Sequence, residues 1–127
     1  MNALLNESDW LNQLDWLNGQ GDAMLQLVEN LANINSGTFN LDGLKEVADC
    51  LTAEFNKLDG ELSISESLPQ LSINSAGKSE QQPLGDIIHI SKRPQAKKKI
   101  LLCIHMDTVY AKDHPFQKCQ WLENGNL

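Results

Sequence analysis

Hydrophobic residues recur at helical spacing along the first third of the chain and predict amphipathic helices there. The first helix is expected to begin at an N-cap formed by Asn6 or Ser8. Its apolar face consists of Trp10, Leu11, Leu14 and Leu17. Gly19 and Gly21 interrupt the pattern, and a second helix is expected to run from an N-cap at Asp22 to about Ile34.

A polar turn and a third helix follow. Residues 33–40 are rich in Asn, Ser and Gly, which is typical of a turn. Apolar residues recur at helical spacing again over 41–58, and the Asp-Gly pair at 59–60 is expected to end that helix. Residues 61–66 then alternate between polar and apolar, which predicts a strand with one buried face.

The strand signals grow stronger toward residue 105. Residues 68–85 contain two prolines and many Ser, Asn and Gln residues, so we expect a surface loop with a short strand at 71–73. Residues 86–91 predict a further strand. A basic turn joins it to an unbroken apolar run at 100–104, and this short connection predicts an antiparallel hairpin. A continuous apolar run is typical of a strand that helices cover on both faces.

These elements together predict an α/β fold, with N-terminal helices followed by the strands of a mixed sheet. The Trp-Leu face of the first helix has two interpretations. It packs against the domain's own sheet, as amphipathic helices usually do, or it binds a partner.

The composition is that of an ordinary globular domain. The chain has 127 residues, 41% of them hydrophobic, and a net charge of −7, which argues against nucleic acid as a partner. No stretch approaches the roughly 20 apolar residues that cross a bilayer, so no membrane association is expected. The first residues lack the basic region of a signal peptide.

Charge and cysteine use add little specificity. Residues 1–66 contain twelve acidic and two basic side chains, whereas residues 67–127 contain five acidic and eight basic ones. The three lysines at 97–99 form a solvated turn or contact an anionic partner. Cys50, Cys103 and Cys119 have no C-x-x-C spacing, which predicts free thiols in a reducing cytoplasm and leaves a three-cysteine metal site as the other possibility.

His105 and Asp107 are the residues with candidate chemistry, because they follow the apolar run directly. Residues i and i+2 of a strand point to the same side, so both side chains are expected to project from the C-terminal end of a central strand, where α/β sheets bind ligands. A neutral imidazole binds zinc, and a nearby carboxylate fixes its orientation. The alternative is a partly buried structural histidine capped by the aspartate.

The string Leu-Cys-Ile-His-Met-Asp-Thr-Val-Tyr at 102–110 closely resembles the first metal-site motif of the zinc-dependent exopeptidase and deacylase family. That family includes glutamate carboxypeptidase, acetylornithine deacetylase, succinyl-diaminopimelate desuccinylase and aminoacylase, and the glutamate-carboxypeptidase-like branch is the most similar. The resemblance implies that His105 is a zinc ligand. It also implies that Asp107 is the catalytic-site carboxylate that clamps a histidine ligand.

A second resemblance lies upstream of the first. In the same family a helix ends in Leu-x-x-Ile-x-Ser-Gly-Thr, which matches residues 31–38, and a glycine follows in the next helix, as Gly43 does here. The Pro-Phe pair at 115–116 also matches the stretch that leads toward the family's second metal motif. The family pattern assigns no ligand at His114, which is expected to be a loop residue. His89 alternates within its predicted strand and is expected to be structural.

The resemblance implies that residues 1–127 form the opening part of a three-layer catalytic domain, without the remaining ligands, the general base or the lid and dimerisation domain. The complete enzyme would use two Zn²⁺ ions to hydrolyse a terminal amide bond of a peptide or N-acyl amino acid, with homodimerisation left open. Two alternatives stay open. One is a non-catalytic α/β domain that acts as an interaction module, and the other is an unrelated module with a coincidental H-x-D.

Overall fold

The computed structural model describes residues 6–127, and within that range three helices precede four short strands. The helices are α1 (Glu7–Asn18), α2 (Gly21–Ala32) and α3 (Leu41–Phe55). The strands are β1 (Glu61–Ser65), β2 (Gln70–Ile73), β3 (Ser79–Gln82) and β4 (Ile87–Ser91). This order of helices followed by strands confirms the mixed α/β character that the hydrophobic pattern predicts.

The start of α1 confirms Asn6 as the N-cap. The Asn6 side chain accepts a hydrogen bond from the Asp9 amide at 2.9 Å, and the Asp9 carboxylate accepts one from the Asn6 amide at 3.2 Å. The prediction of Asp22 as the N-cap of α2 is wrong. Gln20 occupies that position, and its side chain donates back to the Trp16 carbonyl at 3.3 Å rather than capping α2, while Asp22 lies in the first turn.

Helix α3 supplies the core of the described residues. Its buried apolar side chains are Leu44, Val47 and Ala48. Helix α3 lies against β4, and the Leu44 side chain packs closely over Gly85 just before that strand. The helix ends at Phe55, a few residues before the predicted end, and a turn continues the chain toward β1.

The strands form two separate antiparallel pairs. Strand β1 pairs with β4, and β2 pairs with β3. The second pair is a hairpin inside the predicted loop. The Asn74 side chain accepts bonds from two turn amides, and Gly77 adopts a φ of 73°, which a residue with a Cβ rarely does. The strand predicted at 71–73 is therefore present, together with a partner that the composition of the loop did not indicate.

The prediction of a buried central strand at 99–105 is wrong for this structure. The segment is irregular, and the apolar side chains at 100, 101, 102 and 104 are 84–90% exposed. A strand of this kind needs hydrogen-bonding neighbours and helices on both faces. Among the described residues its expected neighbour β4 pairs with β1 alone, and the predicted hairpin is also not formed. Among residues 6–127, no helix combines the length and apolar character of a membrane span.

Candidate functional site

Two distant segments, the turn at 35–38 and the segment 105–111, meet in the structure. Gly37 and Thr108 form a parallel β-bridge, and the Thr108 amide donates to the Ser36 carbonyl at 2.9 Å. The Asn35 side-chain amide donates to the Ala111 carbonyl at 3.1 Å. The two segments that carry the family resemblances are thus joined by backbone and side-chain hydrogen bonds.

Gly37 permits this close approach. A Cβ atom at this position would overlap the carbonyl oxygen of Tyr110, so a larger residue forces the two segments apart. Ser36, the neighbouring residue, is only 2% exposed. The turn is braced from the other side by Asn40, whose side-chain amide donates to the Asn35 carbonyl at 2.7 Å. The contact between the segments is therefore tight and positioned by a defined turn.

Asp107 lies between two partners at this contact. One carboxylate oxygen, Oδ2, accepts a hydrogen bond from the Thr38 hydroxyl at 2.5 Å. The other, Oδ1, lies 3.0 Å from Nδ1 of His105. The hydrogen bond from Thr38 lowers the pKa of Asp107 below its ordinary value, and the bond and charge of His105 act in the same direction, while partial burial opposes them. The carboxyl group is therefore ionised at neutral pH.

The surroundings of His105 determine which of its nitrogens carries a proton. Nδ1 faces the carboxylate and also the backbone carbonyl of Asp107, at 2.7 Å. Both groups only accept hydrogen bonds, so Nδ1 carries the proton. In the neutral ring, Nε2 then presents a free lone pair. The side chain is 81% exposed, so that lone pair is accessible to a ligand.

The neighbouring aromatic residues close one flank of the contact. Tyr110 packs against His114 and Phe116, with ring centroids 4.9 Å apart in both pairs. His114 is also occupied locally, since its Nδ1 accepts from the Phe116 amide at 3.0 Å. His89 lies in β4 opposite Ser63. The expectation that neither histidine is a metal ligand stays a prediction.

The structure places the side chains of His105 and Asp107 close together, as predicted, but the backbone that precedes them differs from the prediction. They follow an irregular exposed segment rather than the end of a buried strand. The sequence did not indicate that Thr38 contacts Asp107. The contact joins residues 69 positions apart, so no local sequence pattern could have indicated it.

The described residues provide one candidate metal ligand, His105, rather than a complete metal site. His105 has the orientation and the free nitrogen that zinc requires. Within 6–127, however, the structure shows no group of three or more His, Cys, Asp or Glu side chains arranged to hold a metal.

Comparison with family models, curated proteins and solved structures finds no significant match to this chain.

Proposed function

We propose that this chain is the opening part of the catalytic domain of a zinc-dependent exopeptidase or deacylase of the glutamate-carboxypeptidase-like type. The complete enzyme hydrolyses a terminal amide bond of a peptide or an N-acyl amino acid. The observation that carries the proposal is the contact between the turn at 35–38 and the pair His105 and Asp107. Two motifs that resemble one family in sequence also meet in space.

In this proposal each residue has one task. Nε2 of His105 would bind one zinc ion, and Asp107 holds the imidazole by accepting from Nδ1. A zinc ion held there would supply Lewis-acid chemistry, since it would polarise the scissile carbonyl and lower the pKa of a water molecule bound to it. About three protein ligands are needed for such a site, so the others, and the general base, belong to polypeptide beyond these residues. The three-layer architecture is part of this proposal, as is possible homodimerisation.

The exposed apolar run also has a place in the proposal. In a three-layer domain, Ile100 to Ile104 would form the buried central strand that the sequence predicts, with neighbours supplied by the rest of the domain. The proposed location is the cytoplasm, which suits three free cysteines, Cys50, Cys103 and Cys119.

A second candidate function is a non-catalytic interaction module. The exposure of the same apolar run, at 84–90%, favours it, because exposed apolar patches mark contact surfaces. This alternative predicts a cooperative folded unit that needs no zinc. A zinc titration therefore separates the two functions.

The test uses the protein expressed from its natural reading frame. Zinc content and calorimetric zinc affinity are measured together with hydrolysis of N-acyl amino acids and of dipeptides with a C-terminal glutamate. We expect His105→Ala to lower the affinity of one zinc site by about tenfold or more and to abolish nearly all turnover. His89→Ala is the matched control, because it removes an exposed histidine from β4.

The outcomes distinguish the candidates. Full turnover or unchanged zinc affinity in His105→Ala contradicts the assignment of His105 as a ligand. A protein that folds cooperatively, holds no zinc and hydrolyses none of these substrates supports the interaction module instead.

A further inference from the structure

The Thr38 hydroxyl is placed to control the imidazole of His105 through a carboxylate. It donates to Oδ2 of Asp107 at 2.5 Å, while Oδ1 of the same carboxylate lies 3.0 Å from Nδ1 of His105. We propose that Thr38 is a positioning residue that fixes the carboxylate plane of Asp107 and thereby holds His105 in its Nδ1-protonated tautomer. The consequence of this tautomer for metal binding rests on the proposed function. The hydrogen bonds that link Thr38, Asp107 and His105 do not depend on it.

Few other contacts restrain the two partners of Thr38. The His105 side chain is 81% exposed, and within residues 6–127 its polar contacts are both with Asp107. The Asp107 side chain is 33% exposed, so its carboxylate is able to rotate toward water once the Thr38 bond is removed. A hydroxyl bound to an ionised carboxylate forms a stronger bond than one between neutral groups. The Thr38 bond is therefore the contact that limits this rotation.

The same hydroxyl is not needed to join the two segments. The Thr108 amide bond to Ser36, the Gly37 bridge and the Asn35 bond to Ala111 already do so. Removing the Thr38 hydroxyl should therefore change the orientation of Asp107 while the turn stays docked. This separates a positioning role from a structural one.

The consequence for His105 follows from imidazole chemistry. Which ring nitrogen carries the proton depends on the hydrogen bond that the other makes, and in water the Nε2-protonated form prevails. A fixed carboxylate at Nδ1 reverses that preference and frees Nε2. If the carboxylate rotates away, the preference for the Nδ1-protonated tautomer becomes weaker, although the Asp107 carbonyl still faces Nδ1.

The experiment is long-range ¹H–¹⁵N NMR of the histidine side chains, recorded on the metal-free 127-residue chain at a pH where the ¹⁵N shifts themselves report a neutral ring. In the unmodified protein we expect His105 to show a protonated Nδ1 and an unprotonated Nε2. In Thr38→Val the Nδ1-protonated fraction should fall by about half or more. Thr38→Ser keeps the hydroxyl and should restore the original spectrum.

Matched controls separate this effect from a loss of structure. Thr52→Val makes the same substitution in α3, where the hydroxyl has no hydrogen-bond partner among the described residues, and should leave His105 unchanged. Hydrogen exchange of the Thr108 amide reports whether the turn is still docked. Thr38→Ala provides a second variant without the hydroxyl in case valine is not accommodated.

Two outcomes overturn the inference. The first is an unchanged His105 tautomer in both Thr38→Val and Thr38→Ala. The second is loss of Thr108 amide protection in both, since the hydroxyl then joins the segments rather than positions the ring. Zinc affinity of the protein from its natural reading frame is tested separately. An unchanged tautomer beside His105-dependent zinc binding refutes only this inference, whereas a shifted tautomer without zinc binding refutes only the proposed function.

Discussion

At the scale of the residue, Gly37 determines whether the two segments meet. Its backbone lies so close to Tyr110 that a Cβ atom at position 37 would overlap the Tyr110 carbonyl oxygen, which belongs to the backbone. A backbone atom cannot move aside as the end of a side chain can. The hydrogen bond from the Thr108 amide to Ser36 and the Asp107 contact with Thr38 both depend on this approach.

We expect Gly37→Ala to separate the segments. The amide of Thr108 should lose its protection against hydrogen exchange by about tenfold or more, because a bond in an opened contact exchanges with water. Gly21→Ala is the control, since a Cβ atom at Gly21 meets nothing within 4 Å and alanine favours the helix there. Retained protection of Thr108 in Gly37→Ala would show that the contact tolerates a side chain.

At the scale of the element, the apolar run at 100–104 is exposed, although its composition is typical of a buried strand. Its exposed side chains form a contiguous hydrophobic stretch, and such stretches bind apolar dyes and promote association. We expect the 127-residue chain to bind a hydrophobic dye and to associate at high concentration. Leu102→Lys should reduce both, as measured by dye fluorescence and sedimentation velocity.

Leu68→Lys provides a matched control for Leu102→Lys. Leu68 is 88% exposed and Leu102 is 90% exposed, and both substitutions change the net charge equally. Leu68 lies outside the apolar run, so its replacement should have little effect. An equal effect of the two variants would mean that charge, not the run, governs association.

The elements also show what the sequence could and could not predict. The periodicity of the first 58 residues predicted α1, α2 and α3, because a helix depends mainly on nearby residues and its own caps. A strand depends on partners that are distant in sequence. The pattern identified β1 and β4 but paired β4 with 99–105, whereas the structure pairs β4 with β1.

The candidate site shows the same difference between contacts that are local in sequence and contacts that are distant. The neighbours His105 and Asp107 were predicted from a spacing of two residues, and the structure places their side chains 3.0 Å apart. Thr38 lies 69 positions from Asp107, so no local pattern indicates their contact. Their closeness becomes predictable only when the two motifs are considered together.

At the scale of the whole molecule, side-chain hydrogen bonds and one ion pair join the helical region to the C-terminal segment at 112–121. The Asn33 side chain accepts from the Cys119 amide at 3.1 Å, and the Trp121 indole donates to Glu29 at 3.3 Å. Lys112 and Asp42 form an exposed pair at 3.4 Å, which contributes little in water. These bonds orient the C-terminal segment, but they bury little apolar surface, so stability depends on the core.

The last prediction concerns the core at α3. Among the described residues its buried hydrophobic side chains are Leu44, Val47 and Ala48, and Leu44 is the largest. Leu44→Ala should lower the free energy of unfolding by about 2–5 kcal/mol, a large part of the total for a small domain. The measurement is urea unfolding followed by far-UV circular dichroism.

Leu25→Ala tests whether burial is the cause. Leu25 is also a helical leucine, in α2, but it is 47% exposed, so the same truncation should cost less than about 1 kcal/mol. The two substitutions remove the same atoms and have similar helix propensities, so the difference between them measures the contribution of the core at α3. Coincident unfolding curves would mean that α3 does not hold the fold together, and that the chain is stabilised elsewhere.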